Sequence, residues 1–192
     1  MADTTDNKFN FCPKCGSKKI EYQNDRKWGC PECGFKLYNN VAAAVGLIIT
    51  DENGCVFFEK RAKEPRKGFL ALPGGFCDPD ETAESAAKRE CKEELGIEVH
   101  SIKYLCSFPN IYDYKNIRYK TCDLFFTATV NSSVSEKLIN QIKVQETEVS
   151  GLCTKNIQTE ADIDSLPLAF ESARKTLKFW LAEKNHNKNQ KD

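Results

Sequence analysis

The sequence has no excess of charge of either sign: 28 lysines and arginines stand against 28 aspartates and glutamates, a formal net charge of zero. A chain so balanced has no bulk field to draw it to nucleic acid or a membrane surface, which leaves room only for a local basic patch. Long hydrophobic runs are missing too. The longest, Val41 to Ile49, has nine residues, where a membrane-crossing helix needs about 20. The first ten residues are polar and lack the apolar stretch of a secretory signal, and no internal repeat is visible. These absences make a cytoplasmic protein without a membrane partner the expectation. What is present suits it: 192 residues, 40% hydrophobic and 29% charged, provide one ordinary domain and a small extra module.

Cysteine is abundant, with ten residues, and its placement decides how to read it. Six (Cys55, Cys77, Cys91, Cys106, Cys122, Cys153) are scattered singly among apolar or motif residues, as expected of small buried hydrophobes in a reducing compartment. The other four form Cys12-Pro-Lys-Cys15-Gly and Cys30-Pro-Glu-Cys33-Gly, with fourteen residues between Cys15 and Cys30. Two such knuckles supply the four thiolates of a tetrahedral zinc site. A redox dithiol is the rival for one Cys-x-x-Cys, but matching Pro and Gly in both favour metal. With four protein ligands the zinc has no open position and is expected to be structural. Residues 11–38 are therefore read as a zinc ribbon after a flexible segment, 1–10. Its lysines and arginines are offset by Glu21, Asp25 and Glu32, so nucleic-acid binding ranks below dimerisation or a lidding role.

Asn39-Asn40 marks the boundary to a second domain, 41–184, followed by a polar tail, 185–192. Val41–Thr50 reads as a buried strand, and Asp51-Glu52-Asn53-Gly54 as a hairpin turn of type I′. Cys55–Lys60 is the returning strand, and 61–80 a loop rich in Gly and Pro. Glu81–Leu95 reads as a helix with Thr82 as N-cap and Gly96 as its stop. Glu98–Phe108 and Ile117–Val130 are further strands. Leu166, Phe170, Ala173, Leu177, Trp180 and Leu181 recur at helical spacing and predict an amphipathic helix that packs on the core. Strands before and after one central helix make the class α/β or α+β.

That central helix carries the chemistry. At about 100° per residue, Glu90, Glu93 and Glu94 fall within an arc of roughly 100°, beside Ala83, Ala86 and Ala87, with Ser85, Lys88 and Lys92 on the far side. A solvated acidic face would oppose the apolar side, and this one does not. Like charges at such spacings cost about 0.2–0.5 kcal/mol per pair, and more with burial. A bound divalent cation removes that cost, and carboxylate oxygens suit hard ions such as Mg²⁺ that also engage phosphates. Leu72-Pro73-Gly74-Gly75 brings bare backbone up to the helix, so a carbonyl there is a further candidate ligand.

The run Gly75-x5-Glu81-x7-Arg89-Glu90-Cys91-x-Glu93-Glu94-x-Gly96-Ile97 resembles the Nudix box at every position, with Cys91 where a larger aliphatic residue is common. The resemblance implies an α/β/α sandwich and hydrolysis of a diphosphate joined to another group, with Mg²⁺ or Mn²⁺. It implies that Glu93 and Glu94 are the principal metal ligands, helped by the Gly74 carbonyl. Glu90 would be a ligand or the general base, Arg89 would orient Glu90, and Glu81 would brace the loop or hold metal through water. Many relatives add a carboxylate ahead of a late strand, for which Glu148 and then Glu146 are the candidates.

A zinc ribbon ahead of a Nudix domain is similar to the NADH pyrophosphatase group. Of that group's Ser-Gln-Pro-Trp motif, Ser107 and Pro109 are present, while Phe108 and Asn110 replace the other two. Phe108, Tyr112, Tyr114 and Tyr119 are candidates to stack on a base, and Arg61, Lys63, Arg66 and Lys67 to meet phosphates. The expected substrate is a dinucleotide or ADP-linked compound such as NADH, FAD or ADP-ribose, cleaved to a nucleoside monophosphate. The rival readings are an RNA-cap hydrolase and a non-catalytic nucleotide sensor that binds nucleic acid through the ribbon. A homodimer is a further expectation from the resemblance.

Overall fold

The two cysteine knuckles fold alike. In each, the first cysteine's carbonyl accepts from the following glycine's N–H (Gly16 to Cys12, 2.8 Å; Gly34 to Cys30, 3.0 Å), and both glycines take positive φ, +72° and +70°. A side chain is strained there, which is why each knuckle ends in Gly. The computed structural model describes residues 9–24, 26–115, 117–130 and 148–189. Between and after the knuckles run three short antiparallel strands, β1 (Glu21–Gln23), β2 (Lys27–Gly29) and β3 (Lys36–Tyr38), in that order. Trp28 is the buried ring of this sheet, with Phe9 at 5.0 Å and Tyr22 at 4.9 Å. One buried tryptophan is little core for so small a sheet.

The second sheet has six strands: β4 (Ala42–Thr50), β5 (Val56–Arg61), β6 (Leu70–Ala71), β7 (Lys103–Tyr114), β8 (Ile117–Thr129) and β9 (Val149–Lys155). Five run in the order β6-β5-β4-β8-β7, and β9 pairs with β5. The β4–β8 pairing is parallel from Ala42↔Thr121 to Thr50↔Thr129, while β5 is antiparallel to β6 and β9. Helix α1 (Ala83–Leu95) covers one face, and α2 (Glu160–Asp164) with α3 (Glu171–Asn189) covers the other, an α/β/α sandwich. Strand alternation explains the two cores. Leu47, Phe57 and Phe126 point toward α1 with Ala87, Cys91 and Leu95. Ile48, Phe58 and Phe125 point toward α3 with Leu177 and Leu181. On the α3 side the buried Asp123 accepts from Thr121 Oγ1 at 2.6 Å and Ser172 Oγ at 2.7 Å, so both its oxygens are satisfied. Among the described residues no helix is long and apolar enough to cross a membrane.

Several local expectations change. Only Gly54 of the first hairpin turn has positive φ, so the turn is not type I′. It is instead closed by Gly54 N–H on the Asp51 carbonyl and by Cys55 N–H on the Asp51 carboxylate, a longer loop with glycine at its left-handed end. The C-terminal helix starts at Glu171, because Pro167 interrupts the stripe after Leu166, and it continues to Asn189, through residues read as tail. No Gly or Pro lies between 171 and 189 to stop it. The chain also divides differently: one compact unit takes residues up to Val41 together with Ile111–Lys120, and the other takes Ala42–Asn110 and Thr121 onward. β8 meets β4 only from Thr121, so the far end of the β7–β8 hairpin lies outside the β4 pairing. Glu146 falls outside the described residues.

Candidate active site

Helix α1 begins at Ala83, two residues later than the Glu81 expected, because Thr82 serves as its N-cap. Thr82 accepts the Ser85 N–H at 3.1 Å, and Gly96, at φ +65°, ends the helix with its N–H on the Lys92 carbonyl. The loop before it runs antiparallel along β4: Leu47 N–H donates to the Pro73 carbonyl (2.9 Å), Val45 N–H to Gly75 (2.8 Å), and Cys77 N–H to Ala43 (3.1 Å). The carbonyls on either side of Gly74 are thus taken. Gly74 itself has φ +146°, and a Cβ there would strike the Val45 carbonyl. A Cβ on Gly75 would fall on the Glu90 carboxylate. We expect Gly75→Ala to lower activity about 10–100-fold while the melting temperature moves by only a few degrees, because the atom displaced is the end of a flexible side chain. Unchanged kcat/KM would show that Glu90's position does not matter.

Arg89 organises the acids. Its Nε and Nη2 grip Glu81 at 3.0 Å each, Nη1 reaches Glu90 at 2.8 Å and Glu93 at 3.1 Å, and Nη2 also donates to the Phe76 carbonyl at 3.0 Å. These bonds, with that from Asp78 N–H, hold the Glu81 carboxyl below its ordinary range, and the guanidinium stays firmly charged. Glu90 and Glu94 face the sheet side of the helix, with Glu94 only 5% exposed, while Glu93 lies at the solvent edge. Glu94 accepts the Gly74 N–H at 2.8 Å. Desolvation pushes the Glu90 carboxyl up despite Arg89, and raises Glu94 to about 7. Glu148 lies just ahead of β9, pairs with Lys63, and adds its charge to the field on both Glu90 and Glu94.

Sequence reading missed one residue of this cluster. Glu59 on β5 is 4% exposed and stands in phase with Phe57, on the face toward α1. Burial and the neighbouring carboxylate of Glu94 push its pKa well up. The signal was in the alternation: a charged residue at an inward position of Val-Phe-Phe-Glu. Among the described residues, neither Glu59 nor Glu94 has a cationic hydrogen-bond partner.

Two desolvated carboxylates side by side, with one guanidinium shared by three others, fit a divalent cation. Glu90, Glu94, Glu93, Glu59, Glu148 and the Gly74 carbonyl are the groups available to hold it. The carboxylates spread round Arg89. Among the described residues, the four cysteines are the one group of three or more ligand atoms all within 4.8 Å. Against desolvation, N–H groups of Cys15 and Lys14 bring the Cys12 thiol to about 7, while the neighbouring thiols push Cys15 up to about 12, as expected of sulfurs crowded into one cluster.

The pH dependence follows from Glu94. A carboxyl at about 7 in the folded chain, against an ordinary value of 4.5, stabilises the fold fully below 4.5, and that contribution is lost as pH rises to 7. Glu59 shifts the same way. The metal-free protein is therefore expected to melt at lower temperature at pH 8 than at pH 5, and Mg²⁺ to restore more at pH 8. A melting temperature that climbs across this range would contradict the burial of these acids.

The aromatic candidates divide. Tyr112 lies 6.4 Å from Tyr114 and 6.4 Å from Tyr119, all in the unit that contains the ribbon. Phe108 packs against the α3-side core. Arg61 donates from Nε to the Pro65 carbonyl at 2.8 Å, and its guanidinium carbon lies 5.1 Å from the Phe170 ring centre.

A glycine-loop-fed acidic helix on an α/β/α sandwich defines a Nudix-type domain. The NUDIX domain profile matches residues 41–180, and the chain belongs to the NUDIX family. A protein named NAD-capped RNA hydrolase NudC from Deinococcus radiodurans is 34% identical over 101 residues, covering 52% of this chain and 36% of that protein. The Haemophilus influenzae protein of the same name (strain PittGG) is 30% identical over 100 residues, 52% and 38% of the two chains. The similarity thus spans little more than a third of these relatives. Among solved structures, a MutT NUDIX hydrolase from Burkholderia pseudomallei shares the fold at TM-score 0.56 and 25% identity, covering 72% of this chain and 97% of its own. A NUDIX hydrolase from Nitrosomonas europaea has TM-score 0.56 and 24% identity, covering 92% of each chain.

Proposed function

We propose that the chain is a Mg²⁺- or Mn²⁺-dependent pyrophosphohydrolase that cleaves the diphosphate of a dinucleotide or ADP-linked compound and releases a nucleoside monophosphate. The observation that carries this is the buried Glu94, fixed by the Gly74 N–H beside a Glu90 that Arg89 holds in place. A divalent ion bound there supplies neutralisation of the diphosphate and a water of lowered pKa. The chain's own part is positional. Glu90 and Glu94 define where the ion and water sit, Arg89 fixes Glu90 through a charge-assisted bond, and Glu81 anchors Arg89 in turn. Glu90 or Glu148 takes the water's proton. Both stand in the same field, and pH–rate profiles of the two single glutamine variants separate them, because the base variant loses the acidic limb. The ribbon zinc is structural in this reading, and a reducing, cytoplasmic setting suits its thiolates.

The NAD-capped RNA hydrolases among the relatives make an RNA 5′ end the second reading. The test is product analysis with NADH, NAD, FAD, ADP-ribose, diadenosine polyphosphates, nucleoside triphosphates and NAD-capped RNA, each with Mg²⁺ or Mn²⁺. AMP released from the linked dinucleotides by wild type, and not by Glu94→Gln, is the expected result. Cleavage of capped RNA alone would select the second reading. Cleavage of none would sink both.

A further inference from the structure

Glu59 has no place in the acidic motif, yet it is among the most deeply buried charged side chains described, and its Oε1 has no hydrogen-bond partner. Its neighbours in the sheet explain the isolation. On β6 it faces Ala71, and on β9 it faces Leu152, so neither adjacent strand offers a donor. Along β5, Phe57 shares its face and packs in the α1-side core. The charged groups close enough to act on it are the carboxylates of Glu94 and Glu90 from the helix and the guanidinium of Arg61 from its own strand. Arg61 is turned to the Pro65 carbonyl and the Phe170 ring. The Glu59 carboxyl meets Glu94 through a side-chain hydrogen bond, but its Oε1 is left without a partner. A buried carboxyl oxygen so placed is costly, and nothing in packing requires one where Leu or Val would fill the same strand position. Ala71 lies three residues before Gly74, so Glu59 borders the same loop whose N–H holds Glu94.

We propose that Glu59 is a further carboxylate of the divalent-cation site, approaching the ion from the sheet while Glu90 and Glu94 approach it from the helix. This rests on the reading of the acidic helix as a cation site. It adds to that reading an oxygen ligand from a strand far from the motif in sequence, and it gives the orphaned Oε1 its partner. The competing role is structural: Glu59 as a permanently protonated acid that only hydrogen-bonds Glu94. Glutamine mimics that protonated acid in shape and donors but is a poor ligand for Mg²⁺ or Mn²⁺, so one substitution separates the two.

The experiment is Mn²⁺ titration of the zinc-loaded full-length protein, followed by electron paramagnetic resonance of free Mn²⁺, for wild type, Glu59→Gln and Lys60→Gln. Lys60 is the next residue on the strand, is exposed, and serves as control. Glu59→Gln is expected to bind Mn²⁺ about 10–100-fold more weakly, with Lys60→Gln unchanged and the metal-free Glu59→Gln melting no lower than wild type. Equal Mn²⁺ affinity in wild type and Glu59→Gln overturns the proposal and leaves the helix site standing. Absence of Mn²⁺ binding by wild type overturns both. If Glu59→Gln does not fold, crystals of wild type soaked in Mn²⁺ decide. An anomalous peak at ligand distance from Glu59 Oε1 supports the assignment, and a peak held by the helix carboxylates with Glu59 out of reach refutes it.

Discussion

Glu94→Gln is expected to lower kcat/KM by about 10²–10³-fold while leaving the fold intact. The magnitude comes from the several kcal/mol of charge stabilisation that a metal supplies to a phosphoryl reaction, at about 1.4 kcal/mol per factor of ten. The fold should survive because the substitution is isosteric. The Gly74 N–H retains an acceptor in the amide oxygen, and the amide keeps a polar group beside the buried Glu59 carboxyl. The metal-free variant should in fact melt higher than wild type above pH 7. Moving the carboxyl from 4.5 to about 7 on burial corresponds to about 3 kcal/mol of destabilisation by the charged form, which glutamine lacks. The decisive pattern is opposite movement: activity down, metal-free stability at pH 8 level or up, and stabilisation by Mg²⁺ reduced. Activity within about threefold of wild type, measured on whichever substrate the wild type cleaves, would refute the placement of the metal at Glu94.

Removing zinc should unfold the ribbon. Cys12 and Cys30 are buried, the four sulfurs already lie within 4.8 Å, and Cys12–Cys33 and Cys15–Cys30 are each 3.7 Å apart. Beyond the metal, this module has Trp28 and its two aromatic neighbours as a core. Structural zinc contributes about 10–16 kcal/mol in comparable peptides, far more than one buried indole at roughly 1.5–3 kcal/mol, so the metal term decides. In a Trp180→Phe background Trp28 is the single tryptophan, since the chain has two. Chelation, or Cys12→Ser, is expected to shift its emission to the red and to release one zinc per chain. A Trp28 signal that stays buried after complete zinc removal would mean that the ribbon folds on its own, contrary to this energy comparison.

The four-cysteine cluster is legible because its members lie in two local turns, and each turn's geometry is set by neighbours in sequence. Helix α1 was legible for the same reason. Thr82, Gly96 and the Glu90-x-x-Glu93-Glu94 spacing are all internal to fifteen residues, and a 3.6-residue period fixes their relative directions without knowledge of what packs on them. Errors arose where local rules competed. The Asn-Gly pair suggested type I′, but the Asp51 side chain accepts the Cys55 N–H and selects a longer turn. The polar residues after Asn185 suggested a tail, yet helix continues through polar residues if nothing breaks it.

Other features depended on contacts between distant segments. Glu148 stands out in sequence by its place before a late strand, and its charge adds to the field on Glu90 and Glu94. Glu59 carries no motif signal of its own. Its face on β5 follows from alternation, but alternation does not say that α1 lies over that face or that Glu94 is the residue it meets. The four-cysteine cluster, the acidic helix with its caps, and membership of an α/β class are all written in short local spacings of the chain. Sheet order and packing settle which carboxylates share a desolvated site, that Phe108 packs against the α3-side core, and that the hairpin tip at Ile111–Lys120 groups with the ribbon unit. Those outcomes rest on sheet order and burial, to which residues tens of positions apart contribute together.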